Sequence, residues 1–294
     1  MRYTALKNEN DDDTFAIHGT INAIASIVKK FEPSHILVAF DNGKSSFRVA
    51  LYSEYKVHRR AKDDSERPPD DAIDQLQATR KLLTLFGMYV HREENTEADD
   101  IIANCVWRYR NEFYDVIIVS GDKDLLQLVS DNVMVSKPAL GGKTGKTEEL
   151  WDKRRVLDYY GQPPMMLPEI WALSGDPGDG VPGVPGIGEK TAIKLIEKYG
   201  SASAVALSSE KKVVGHEANI SLSRKLVELN GSVARCDFEL DDLLWRPTKP
   251  GEPFAKSLAE CLDSFELQVL SDRWRDGSLW RPGVIGRKRL STTP

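Results

Sequence analysis

Apolar residues recur at helical spacing early in the chain: Ile17, Ile21, Ile24 and the pair Ile27-Val28. That period predicts a helix with one buried face. Asp11, Asp12 and Asp13 with Thr14 stand just before it, where acids suit the positive end of a helix dipole. Ile36-Leu37-Val38-Ala39-Phe40 is a different pattern, a continuous apolar run that stops at Asp41. Such runs read as parallel strands buried on both faces. Val116-Ile117-Ile118-Val119 repeats it and leads into Ser120-Gly121-Asp122-Lys123-Asp124. Shorter strands are predicted at Met88-Tyr89-Val90 and Val133-Met134-Val135. A helix is predicted over 69–86, with Ile73, Leu76, Leu83 and Phe86 on one side and Gly87 as its stop. Further helices are expected over 125–129, from Val156 to Gly161, and over 202–207, 221–230 and 254–270, with 246–253 as a linker. The alternation of strands and helices predicts an α/β domain with a mainly parallel sheet over about 1–165.

In open α/β sheets, chemistry gathers at the carboxyl ends of strands. Asp41, Asp122 and Asp124 stand at such ends, although many strands simply end in Asp. A helix start at 96–100 adds three acids: Thr96 can cap, and Glu97, Asp99 and Asp100 follow. Glu97 and Asp100, three apart, share a face. Each acid alone is commonplace at a helix start.

The stretch 173–198 reads L-S-G-D-P-G-D-G-V-P-G-V-P-G-I-G-E-K-T-A-I-K-L-I-E-K. Asp176 and Asp179 lie among Gly and Pro, and for them a plain surface turn is an equally good reading. A Gly/Pro hairpin over 182–188 then opens an amphipathic helix. Ile193, Leu195 and Ile196 form its apolar side, and Lys190, Lys194 and Lys198 its polar side. Glycines allow close backbone approach, and unpaired amides at a helix start favour an anion. Carboxylates suited to a cation thus adjoin amides suited to a phosphate. Between 48 and 69 the chain alternates cations with aromatics: Arg48, Tyr52, Tyr55, Lys56, Arg59, Arg60, Lys62 and Arg67. That mixture suits phosphates and unstacked bases, and it also fits a plain solvated segment.

Composition constrains these readings. A length of 294 residues and 40% hydrophobic content suit two modest domains or one large one. No run is apolar and long enough for a membrane-spanning helix. Cys105, Cys236 and Cys261 have no paired spacing and read as buried thiols in a reducing compartment. The formal charge of −5 does not itself suggest a nucleic-acid partner, but setting aside the eight acids Asp41, Glu97, Asp99, Asp100, Asp122, Asp124, Asp176 and Asp179, which together carry −8, leaves +3. The 141–147 segment imitates a P-loop, but Leu140 stands where a glycine is needed, so a β-turn loop is expected. No Ser-His-Asp or Cys-His nucleophile arrangement is present in the sequence pattern.

These motifs resemble the flap endonuclease or 5′-3′ exonuclease family, known as phage and bacterial stand-alone enzymes and as the N-terminal part of bacterial DNA polymerase I. The resemblance rests on Phe40-Asp41, Ser46-Phe47-Arg48, Glu97-Ala98-Asp99-Asp100, Ser120-Gly121-Asp122-Lys123-Asp124, Gly175 to Asp179, and the hairpin with Lys190-Thr191-Ala192. It covers about residues 2–265. Gly180 replaces the family's usual Asn. The resemblance implies a PIN-like nuclease domain with a basic arch at about 45–69, then a helix-hairpin-helix DNA-binding domain over 166–265 and a C-terminal segment. It implies that Lys56 and Arg59 act in catalysis. It assigns Arg48, Tyr55, Gly183, Gly186, Gly188, Lys190 and Thr191 to DNA. K⁺ is a further candidate at the hairpin.

The eight acids Asp41, Glu97, Asp99, Asp100, Asp122, Asp124, Asp176 and Asp179 come from four segments. If the fold converges them, each bare pair about 4 Å apart costs roughly 4 kcal/mol at an effective dielectric near 20. Hard oxygen donors select Mg²⁺ or Mn²⁺, and two ions would suit phosphodiester hydrolysis to a 5′-phosphate and a 3′-hydroxyl. The expected partner is DNA with 5′ flaps or 5′ ends at single-strand/double-strand junctions, bound by a monomer. The family's opening strand, which ends in an Asp-Gly-Asn-like motif, has no counterpart after Met1, so the working protein is expected to begin upstream. The competing expectation is a catalytically impaired branched-DNA-binding protein. A calcium-binding protein is a third reading.

Overall fold

The computed structural model describes residues 15–43, 45–57, 70–113, 115–138, 149–229, 231–265 and 267–280. In chain order these residues form α1 (Phe15–Phe31), β1 (Leu37–Ala39), α2 (Ser46–Leu51), α3 (Asp70–Leu85), β2 (Tyr89–His91) and α4 (Ala98–Tyr109). There follow β3 (Val116–Val119), β4 (Val133–Lys137), β5 (Glu149–Trp151), α5 (Lys153–Tyr160) and α6 (Leu167–Ser174). The helices α7 (Glu189–Tyr199), α8 (Ala202–Ala206), α9 (Glu217–Val227), α10 (Ala255–Ser264) and α11 (Gln268–Arg275) complete the order. The predicted loop at 141–147 and the basic residues Arg59, Arg60, Lys62 and Arg67 lie outside the described residues.

The chain divides into two compact units that do not follow sequence order: Met1–Val38, Arg67–His91 and Phe238–Pro294 form one, and Ala39–Glu66 with Arg92–Asp237 the other. In the first unit, α1 buries Ile17, Ile21, Ala25 and Val28 and packs against α3. α3 buries Ala78, Leu82 and Leu83, Phe86 just past its end is buried as well, and Gly87 follows in the left-handed region. Leu76, expected on the buried side, is exposed, although it stands seven residues before buried Leu83 on the same side of the helix. One helix was expected over 254–270; there are two, α10 and α11. The break follows Ser264, whose hydroxyl donates to the Cys261 carbonyl at 2.9 Å, a local bond that competes with helix propagation.

In the second unit β3 and β4 pair in parallel, with Val116 opposite Val133, and β5 adds antiparallel at the outer edge of β4. β5 has no apolar run of its own, which is why periodicity did not find it. The segment 124–128 is a 3₁₀ helix, tighter than the α-helix its apolar residues suggest. α6 is buried along most of its length and packs against α7 and α9. No described helix is long and apolar enough to cross a membrane. Cys236 and Cys261 are buried, Cys105 is half-buried, and all three are free thiols.

Leu83 is fully buried. Leu83→Ala is expected to cost about 2–5 kcal/mol, read from the denaturant midpoint. A loss below about 1 kcal/mol would show that α3 is not part of a packed core.

Candidate metal centre and nucleic-acid interface

Backbone geometry places each acidic segment. Asp41 follows β1, and its Oδ1 accepts the Ala98 amide at 2.8 Å, satisfying an orphan donor at the start of α4. Glu97 is the N-cap of α4, and Asp99 and Asp100 lie in its first turn, where carboxylates suit the dipole. Asp122 and Asp124 leave the end of β3 in a self-braced turn. Ser120 Oγ accepts the Asp122 amide at 3.1 Å, and Asp122 Oδ1 accepts the Asp124 amide at 2.9 Å. Asp176 makes a similar Asx turn, accepting the Gly178 amide at 2.8 Å. Its amide and carbonyl also pair with Val181, which closes the loop that carries Asp179.

The electrostatics shows that these segments converge. The Asp99 carboxyl is pushed up to about 7, first by burial, then by Asp122, Asp41 and Asp124, against the pull of Lys56. Asp124 is also pushed up to about 7, by burial, Asp122, Asp176 and Asp179, against the pull of Lys123. Strand ends, a helix start and the glycine-rich loop therefore share one field. Two lysines sit within it. Lys56 Nζ lies 2.7 Å from Glu97 and 3.7 Å from Asp179. Lys123 Nζ lies 2.7 Å from Asp176. Burial alone would raise Asp176, but the Lys123 contact and backbone amides hold it below the usual carboxylate range.

Several expectations change. Asp100 is fully buried and forked by Arg48, with contacts of 2.5 and 3.0 Å, so it faces the protein and not a cation. Arg48 and Tyr55 were expected at the DNA, but both are buried. Arg48 is the counter-charge that a buried carboxylate demands, and Tyr55 donates to Glu97 at 3.2 Å. Gly183 is also buried. Its amide donates to Ser223 Oγ at 2.9 Å, and a Cβ there would strike the Gly175 backbone, so its role is close packing. Gly186, Gly188, Lys190 and Thr191 remain on the surface, with Ile187 folded in beneath them. Arg59 lies outside the described residues. Lys123 was given no role from sequence, although its place between Asp122 and Asp124 was the available signal.

The donor set fits hard divalent cations: it is all carboxylate, crowded, and partly buried. Among the described residues no three of these acids bring oxygens within 4.8 Å of one another, so the basin is open and not a closed cage. That suits Mg²⁺, which keeps waters and takes few protein ligands.

Residues 1–161 match the family model of the 5′-3′ exonuclease N-terminal resolvase-like domain, and residues 162–251 that of the 5′-3′ exonuclease C-terminal SAM fold. Together the two matches give a resolvase-like, PIN-type domain followed by a helical SAM-fold domain. The chain belongs to the 5′-3′ exonuclease family. It is similar to the 5′-3′ exonuclease of Aquifex aeolicus, 33% identical over 261 residues, covering 87% of this chain and 84% of that protein. It is 40% identical over 272 residues to DNA polymerase I of Mycobacterium tuberculosis, covering 90% of this chain but only 28% of the polymerase. In fold it resembles a bacteriophage T5 flap endonuclease solved with DNA and metal ions. That match has a TM-score of 0.65 at 21% identity and covers 87% of this chain and 94% of that one.

Two predictions follow from the crowding and the packing. At pH 8 without metal, Asp124→Asn removes a repelling charge. It is expected to raise the melting temperature by about 2 °C or more and to reduce the further rise on adding Mg²⁺. A fall in melting temperature would contradict the repulsion. Gly183→Ala is expected to destabilise by at least about 1–3 kcal/mol, the cost of a left-handed non-glycine residue alone, with the Gly175 clash in addition. Unchanged stability in urea would contradict the close packing.

Proposed function

We propose that this chain is a metal-dependent, structure-selective 5′ nuclease that hydrolyses DNA phosphodiesters to 5′-phosphate and 3′-hydroxyl ends. Its substrates are 5′ flaps and 5′ ends at single-strand/double-strand junctions, and it acts as a monomer. The observation that carries this reading is the open carboxylate basin with Lys56 at its edge, between Glu97 and Asp179. A bare basin of this charge repels phosphate, so cations are needed before DNA can enter.

The ligands proposed are Asp41, Asp99, Asp122, Asp124, Asp176 and Asp179, with Glu97 closing one side. When bound, two Mg²⁺ or Mn²⁺ ions hold the phosphate, acidify a water and stabilise the leaving oxygen. Lys56 exchanges its contact with Glu97 for the scissile phosphate, and Arg59 assists from the arch. Such a charge acts mainly as negative charge develops in the transition state. Lys123 neutralises Asp176 and orients it. The exposed amides at Gly186 and Gly188, with Lys190 and Thr191, grip duplex phosphates, and K⁺ is a candidate bridge there. Phosphate contacts of this kind are salt-dependent and indifferent to sequence. The nuclease domain is assigned to about 1–165 and the duplex-binding domain to 166–265.

Asp122→Ala is expected to abolish cleavage of a 5′-flap duplex in Mg²⁺ while leaving the fold intact by circular dichroism. Lys56→Ala is expected to lower the single-turnover rate by about 10²-fold or more, with a smaller change in affinity. Full activity in the Asp122 variant would overturn the metal assignment. Normal turnover with a lowered melting temperature would make Lys56 a structural residue.

A further inference from the structure

Three of the four acidic segments are fastened to one helix, α9. Ser223 is fully buried in it, and its hydroxyl accepts the Gly183 amide at 2.9 Å. That bond fixes the far end of the loop that carries Asp176 and Asp179. The last carbonyls of a helix have no partner within it, and here side chains from distant segments supply the donors. Arg48 Nε donates to the Leu226 carbonyl at 2.9 Å, and Arg48 Nη2 to the Glu228 carbonyl at 3.3 Å. The same guanidinium forks Asp100 in the first turn of α4.

Gln127 is the second link. Its Nε2 donates to the Val227 carbonyl at 3.1 Å and to the Asp124 carbonyl at 2.8 Å. Its Oε1 accepts the Leu229 amide at 2.9 Å. Two carbonyls and one amide leave the side-chain amide a single orientation that satisfies all three. Gln127 thus has one end on α9 and the other on the turn that carries Asp122 and Asp124. Arg224 adds a bond to Glu169 of α6 at 2.7 Å, anchoring α9 to the helix that leads into the acidic loop. Asp41 alone is tied elsewhere, to the start of α4.

We propose that α9 is the template of the acid basin, with Arg48, Gln127 and Ser223 as positioning residues that set the spacing of its carboxylates for divalent cations. None of the three touches substrate. They act through Asp100, the backbone of Asp124 and the 176–183 loop. Loss of outer-shell partners of this kind typically costs about 10–100-fold in metal affinity or activity. The reaction served is the nuclease reaction proposed above, but the effect on metal is measurable without it.

The test compares Gln127→Ala, Gln127→Glu, Ser223→Ala and Arg48→Lys with the parent chain. Mg²⁺ affinity is measured by calorimetry, melting temperature in EDTA, and single-turnover cleavage of a 5′-flap duplex against Mg²⁺ concentration. Gln127→Ala is expected to weaken Mg²⁺ binding by about tenfold or more, with saturating Mg²⁺ restoring the rate to within about threefold of the parent. Gln127→Glu, of equal size but without the donors, is expected to behave alike. Mg²⁺ affinity unchanged in every folded variant, with only the melting temperature lowered, would overturn the proposal, as would no Mg²⁺ binding by the parent. If Arg48→Lys does not fold, the Gln127 variants decide. If the parent binds Mg²⁺ but leaves flap DNA intact, the nuclease reading fails and calorimetry still decides the template.

Discussion

Repulsion among carboxylates that are partly withdrawn from water is the constraint on which this structure depends. The Asp99 and Asp124 carboxyls are both pushed up to about 7, by burial first and then by neighbouring acids. A fold gathers such groups only if something else holds their segments in place. Local bonding supplies part of that hold, since each acidic turn is braced by its own Asx or serine contacts. Internal cations supply another part, and they are distributed unevenly. Arg48 and Lys56 serve the α4 side, and Lys123 serves Asp176. Asp41, Asp99, Asp122 and Asp124 have no such direct partner among the described salt bridges, although Lys123 still pulls on Asp124 from a distance.

That asymmetry separates the acids that are paired inside the protein from those that are not. Arg48 and Asp100 form a buried, hydrogen-bonded pair. Breaking it by removing one partner strands a charge, at about 3–5 kcal/mol. Its worth is therefore in fixing geometry, because the guanidinium also binds carbonyls at the end of α9. Lys56 is more loosely held, is partly exposed, and is poised between two acids. Arg48 is locked by bonds on every side, whereas the Lys56 ammonium keeps part of its surface open to solvent.

Much of the fold was legible because its strands are apolar runs with abrupt ends. Val116–Val119 follows from the sequence residue for residue, and the turn with Asp122 and Asp124 follows from what comes next. The helix start at 97–100 was legible as a helix start but not as a set of directions. Glu97 and Asp100 do share a face, and that face meets Arg48; Asp99, off their row, is the one that feels Asp122 and Asp124. Spacing along one helix cannot say which face meets which neighbour, because that depends on a partner far along the chain. Gly183 was misread for a similar reason: a Gly-Pro motif gives backbone freedom but not whether the amide points to solvent or to Ser223. Gln127 carried no signal at all, since a glutamine in a short helix is ordinarily solvated.

The segment 54–56 is built against the acidic loop itself. Lys56 has a left-handed backbone, uncommon for a residue with a side chain, and its amide donates to the Asp179 carbonyl at 2.8 Å. The residue after Asp179 is Gly180, also left-handed, and a Cβ there would lie 2.8 Å from the Glu54 carbonyl. Left-handed backbone suits Asn as well as Gly, so conformation alone does not explain why this chain departs from the family's Asn. Close approach does. The missing side chain is what lets the segment 54–56 lie directly on the loop, and that contact sets where the Lys56 ammonium emerges relative to Asp179. The strain at Lys56 and the absence of a side chain at Gly180 are two halves of one arrangement, in which the position of the cation is fixed by backbone and its contacts remain exchangeable.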